Sequence, residues 1–116
     1  MRSPTGNTVP ALVSGGWRDL KYTRFRDGID VHWLLTGGSD APSVAVLKYA
    51  PGARVPLHRH VGLETIVVLD GAQSDERGEY AAGTVVINPV DSTHSVWSDD
   101  GCVVLIQWNR PVEMLG

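Results

Sequence analysis

The stretch Gly52-Ala53-Arg54-Val55-Pro56-Leu57-His58-Arg59-His60-Val61-Gly62-Leu63-Glu64, followed by Gly71, decides how this chain is read. His58 and His60 are two residues apart in a strand-like segment, and residues i and i+2 of a strand share a face. Both imidazoles therefore enter the same space. Glu64 follows after the short turn Val61-Gly62-Leu63 and opens the next strand, so its carboxylate returns to the same side. Gly52 and Gly71 sit where strands turn sharply and a Cβ would be awkward.

A second stretch carries Gly83, Pro89, Asp91, His94 and Ser98, and supplies a third imidazole from a distant strand. Three imidazoles and a carboxylate converging inside a barrel make a nitrogen/oxygen site for one borderline divalent metal, whether Fe, Mn, Ni, Cu or Zn. Such a set leaves one or two coordination positions for water or a substrate. The candidate ligands are His58, His60, Glu64 and His94. Glu64 has a second reading, as a group that bonds a ligand or substrate rather than the metal.

The rest of the chain is a string of short strand signals, among them Tyr22–Phe25, Ile29–Leu35, Val44–Tyr49, Thr65–Leu69 and Val103–Trp108. They are separated by Gly37-Gly38, Pro51-Gly52, Asp70-Gly71, Arg77-Gly78, Ala82-Gly83 and Asp100-Gly101. No amphipathic helix of useful length appears. Many short strands at this spacing imply an antiparallel sandwich or barrel. Two halves of similar design, residues 44–71 and 79–108, suit a jelly roll. Residues 1–14 are rich in Ser, Pro, Thr, Gly and Asn and read as a flexible arm, leaving 15–116 as one domain.

Composition narrows the partners. Hydrophobic residues make up 42% of the 116, enough to bury a core, and the formal charge is -3. No Lys/Arg cluster could track a phosphate backbone, so nucleic acid is not an expected partner. The longest apolar runs, such as Ile66–Leu69, fall far short of the ~18 residues that suggest a membrane span. The N-terminus lacks an apolar signal-peptide core, and Cys102 is the only cysteine, so a cytoplasmic location is expected.

Around the cluster, Ile66 and Val68 share the parity of Glu64 and should form an apolar pocket floor. Trp97, three residues after His94, is a candidate at the pocket mouth. Gln107, polar between apolar neighbours, is a candidate contact for a bound water or substrate. Trp33, Tyr49 and Trp108 read mainly as core. His32 reads as structural or surface, and Cys102 as a small buried residue rather than a nucleophile. Open sheet edges in a small barrel favour a homodimer.

Both histidine stretches resemble the two signature motifs of the cupin superfamily. The first is complete; in the second, Asp91 stands where the general motif has Gly, and Ser98 where it has Asn. The segments His58–Glu64, Ser74–Gly83 and His94–Cys102 are similar, more narrowly, to the ChrR-type cupins, which are related to metal-dependent diketone-cleaving dioxygenases. The resemblance implies an all-β cupin double-stranded β-helix, a jelly-roll barrel, with His58, His60, Glu64 and His94 as metal ligands. It implies a small-molecule ligand or substrate. One expectation is an Fe(II)-dependent dioxygenase acting on a small chelating, β-dicarbonyl-like compound. The alternative is a Zn-binding, ligand-sensing regulatory cupin without turnover. The helical zinc-binding segment of the family's anti-sigma members uses a Cys pair, and only Cys102 is present here, so sigma-factor binding is not carried over.

Overall fold

Short alternating segments between turn residues become strands almost everywhere in the computed structural model, which describes residues 6–116. Ten strands follow in order. They are β1 (Thr23–Arg26), β2 (Ile29–Leu35), β3 (Ser43–Tyr49), β4 (Arg54–Arg59), β5 (Glu64–Asp75), β6 (Gly78–Ala81), β7 (Val85–Asn88), β8 (Thr93–Trp97), β9 (Cys102–Trp108) and β10 (Glu113–Met114). A 3-10 turn over Gly16–Asp19 is the helical element among the described residues. No helix there is long and apolar enough to cross a membrane. The expected all-β jelly roll is the fold observed.

All pairings are antiparallel, in the order β1-β2-β3-β9-β5-β8-β4-β10, with β6 and β7 also on β5. β5 holds the two halves together. Its first half pairs with β9 and β7, and its second half, from Ala72, pairs with β6 and β8. Asp70-Gly71 was expected to end a strand; instead β5 runs through it. The register against β9 slips between Val68 and Asp70, which marks a β-bulge. A bulge bends a strand and resets which residues face inward. Glu64, Ile66 and Val68 are buried before it; after it Gln73, Ser74 and Asp75 are all buried, and the odd-numbered Gln73 and Asp75 are the ones that reach Tyr49 and His94 inside.

The barrel interior is apolar, built from Ile29, Val31, Leu47, Ile66, Val68, Val96, Val104 and Ile106 with their neighbours. Burying each such side chain contributes roughly 1.5–3 kcal/mol. Cys102 belongs to this core, where burial pushes its thiol pKa up to about 11 and keeps it unreactive at neutral pH. A smaller cluster lies on the outer face of β3 and β9, where Trp17, Val46 and Val103 pack with Leu12, Leu20 and Leu34. Of the expected arm, residues 1–5 lie outside the described residues. Asn7 donates a hydrogen bond to the Leu34 carbonyl at 3.2 Å, and Leu12 joins the outer cluster.

Gly71 and Gly52 share a left-handed backbone, with φ of 70° and 80°, but differ in surroundings. A Cβ on Gly71 would run into the Gly101 carbonyl oxygen and meet the Cys102 Cα at 3.1 Å, whereas one on Gly52 meets nothing within 4 Å. We therefore expect Gly52→Ala to cost about 1–2 kcal/mol, the left-handed penalty alone, and Gly71→Ala clearly more. Urea unfolding of the two variants checks the order.

Candidate metal centre

Two adjacent strands place the histidines. His58 of β4 is the direct cross-strand partner of His94 of β8. The pairing slips between Val55 and His58, where Pro56 supplies no backbone N–H. The extra residue lets Val55 and His58, three apart, both face inward, and both line the same cavity. His60 follows the end of β4, clasped by backbone bonds from His60 N to the Ser92 carbonyl (2.9 Å) and from Asp91 N to the His60 carbonyl (2.8 Å). The three rings stand edge to face, with centroids 4.7, 4.7 and 5.1 Å apart.

Each imidazole is fixed by an acceptor at Nδ1. His58 Nδ1 lies 2.8 Å from the Pro56 carbonyl. His60 Nδ1 lies 3.0 Å from the Ser92 carbonyl and 2.9 Å from Ser92 Oγ, whose own proton goes to the Pro89 carbonyl. His94 Nδ1 lies 3.1 Å from Asp75 Oδ2. Acceptors on all three Nδ1 atoms put the proton there and leave the Nε2 lone pairs free. Nε2 of His60 and of His94 is buried without a hydrogen-bond partner. Ligating atoms of the three residues lie within 4.8 Å of one another.

Glu64 stands beside this triad rather than in it. Its Oε1 is 3.2 Å from His60 Nε2, with no hydrogen-bond geometry between them, and it accepts a bond from Asn88 Nδ2 at 3.1 Å. A carboxyl group is thus aimed at the same space as the bare nitrogens.

Burial lowers the His58 pKa, opposed by the Pro56 carbonyl. Burial alone would raise the Asp75 carboxyl. Hydrogen bonds from Tyr80 and His94 hold it below the usual carboxylate range.

A cavity of about 160 Å³ adjoins the centre, with His58, Glu64 and His94 in its wall. It is smaller than the roughly 300–1,000 Å³ typical of drug-sized ligand pockets. Ile66 lines it, as expected from its parity. Val68 is buried deeper in the core. Trp97 lies outside the lining, with the Arg54 guanidinium 5.2 Å above its ring, because three residues along a regular strand reverse the face. Gln107 is also outside it and donates to Asn109 Oδ1 at 2.6 Å. The reading from sequence did not single out Phe25, Arg26, Gln73, Pro111 or Val112, all of which line the cavity, nor Asp75 behind His94.

Asp91 adopts φ 73°, a left-handed conformation where the general motif has glycine. Aspartate tolerates that region better than most residues. Its Oδ1 receives Arg59 Nη1 at 2.6 Å, while Arg59 Nε reaches Glu113 at 3.2 Å and so ties β10 to this turn.

Residues 13–111 match the family model of the ChrR Cupin-like domain. The anti-sigma-E factor ChrR of Cereibacter sphaeroides is 32% identical over 97 residues, 81% of this chain and 44% of that protein. The chain thus spans less than half the length of that relative. The structure of Rhodobacter sphaeroides SigE in complex with the anti-sigma ChrR aligns with TM-score 0.73 and 28% identity, over 86% of this chain and 56% of that one. An acetylacetone dioxygenase from Acinetobacter johnsonii aligns with TM-score 0.71 over 82% of this chain and 72% of that one, but at 16% identity it shows the fold alone.

Two outcomes are expected. Asp75→Asn replaces one accepting oxygen by a donor beside Tyr80 Oη, Arg77 N and His94 Nδ1. Metal affinity should fall by about 10–100-fold, measurable by competition with a chromogenic chelator. The metal-free fold should lose stability as pH drops below the unfolded His58 value of 6.5, with the loss complete below the lowered folded value. Melting curves of metal-free wild type against pH should be steeper there than those of His58→Gln.

Proposed function

Because the chain belongs to the ChrR cupin-like domain family, we propose that it is a metal-binding sensor module in which His58, His60, His94 and Glu64 hold one divalent ion. The observation that carries this reading is the pair of buried, partnerless Nε2 atoms on His60 and His94, each with its Nδ1 proton already committed. Buried polar atoms are nearly always satisfied. A cation among the three nitrogens and Glu64 would satisfy them at once. Such a donor set suits Zn(II) as readily as Fe(II), and a bound ion supplies a Lewis-acid point for an oxygen-bearing ligand. A ligand entering the cavity would then alter the mouth of the barrel and, through it, a contact with a protein partner. The regulatory side is supported by the 32% identical relative, which is an anti-sigma factor.

A second reading is favoured by the cavity itself. An apolar enclosure beside an ion with open positions also suits an Fe(II)-dependent dioxygenase that takes a small chelating compound.

Metal content by mass spectrometry, on protein purified without chelator, tests the centre. We expect about one ion per chain in wild type and little in His60→Ala. Zinc, with no oxygen uptake over a panel of diketones, catechols and keto acids, is the result expected of a sensor. Iron with substrate-dependent oxygen uptake would replace that reading by the enzyme. Metal-free wild type would sink both.

A further inference from the structure

The wall of the cavity also carries a cation, Arg26. Arg26 lies directly across from Ile29, and Ile29 across from Tyr49, so Arg26 and Tyr49 share one row of the inner face. The register of β1 slips between Arg24 and Arg26. This bulge brings both Phe25 and Arg26 into the cavity lining, although they are adjacent in sequence. Arg26 is half-buried and, among the described residues, makes no ion pair, unlike its neighbour Arg24, which reaches Asp27 and Asp30. A guanidinium in the wall of a cavity, with no ion pair of its own, is free to pair an incoming carboxylate.

Tyr49 adds a second donor. Its hydroxyl accepts a hydrogen bond from Gln73 Nε2 at 3.3 Å and donates to no acceptor among the described residues. Burial raises its pKa, so the proton stays on. Arg26 and the Tyr49 hydroxyl thus both ask for an acceptor. Glu64 is the one carboxylate in the lining, and it faces His60. Between the two ends the wall is apolar, with Leu47, Val55, Ile66, Val96 and Ile106.

We propose that the cavity takes a small carboxylic acid bearing a second oxygen function, with Arg26 pairing its carboxylate and the second oxygen turned toward the histidine centre. The inference rests on the metal reading and names the ligand class of that site. A divalent ion beside the Glu64 carboxylate retains one positive charge, and Arg26 contributes another. A ligand that carries a carboxylate to the Arg26 end pairs that charge as well as filling the metal end. The small volume limits that ligand to a short carbon chain. A diketone, bound at the metal end as its enolate, brings no carboxylate and leaves Arg26 unpaired.

The test is calorimetric titration of the metal-loaded full chain with unbranched dicarboxylates, from malonate to glutarate, and with acetylacetone as the chelating counterpart that has no carboxylate. Arg26→Gln, Arg26→Lys and wild type are compared, with metal content measured on each. We expect at least one diacid to bind wild type. Its affinity should fall on the order of tenfold or more in Arg26→Gln and recover in part in Arg26→Lys, while metal content and acetylacetone binding stay unchanged. Diacids that bind Arg26→Gln as tightly as wild type, or none that binds wild type at all, would overturn the proposal. Absence of metal from wild type is a separate failure, that of the metal centre. Diacid binding that still depends on Arg26 in such protein would leave the anion site standing.

Discussion

Three imidazole lone pairs facing one another repel unless something positive stands among them. The fold nevertheless holds them so, and most of its irregularities serve that arrangement. The Pro56 carbonyl, the Ser92 carbonyl and Asp75 take the Nδ1 protons and leave the opposite nitrogens no freedom to turn away. Each acceptor belongs to a different local device: a bulge in β4, the turn before β8, and the far end of β5. The hydrogen bonds behind the rings make the centre an oriented set of donors rather than a loose collection of side chains. Pre-organisation of this kind cuts the ordering cost of binding an ion.

β5 carries more of this burden than any other element. Glu64 opens it, Ile66 lines the cavity, Gln73 meets Tyr49, and Asp75 at its end anchors His94. One strand thus supplies a carboxyl group for the centre, part of the apolar wall and the carboxylate behind a histidine. It can do so only because the bulge before Gly71 reverses its parity midway.

Much of this was legible from residue spacing. The i, i+2 relation of His58 and His60 needs only strand geometry, and the density of turn residues suffices for an all-β barrel. The turn that carries Asp91 was also marked by its departure from glycine, and the structure gives the reason in a left-handed backbone that aspartate can occupy. What escaped the sequence shares one cause. Parity counting assumes regular strands, and bulges at Phe25, at Pro56-Leu57 and before Gly71 each shift the count. Arg26, Gln73 and Asp75 lie on or just beyond these shifts. Trp97 illustrates the converse, since β8 is regular and its parity turns the indole outward. Asp70-Gly71 looked like a hairpin turn because a left-handed glycine serves bulges and turns alike.

Arg59 joins the turn beneath His60 to the last strand, through Asp91 on one side and Glu113 on the other. Pro111 and Val112, immediately before that strand, are part of the cavity wall. The two kinds of fastening in the molecule therefore answer to different conditions. The histidines are held by buried and part-buried hydrogen bonds, which added salt screens little. The C-terminal strand is held by backbone pairing with β4 and, in addition, by the exposed ion pairs of Arg59, which weaken as ionic strength rises and the Debye length shrinks toward contact distance. Added salt thus screens the side-chain part of that fastening and leaves its backbone ladder and the hydrogen-bonded rings in place.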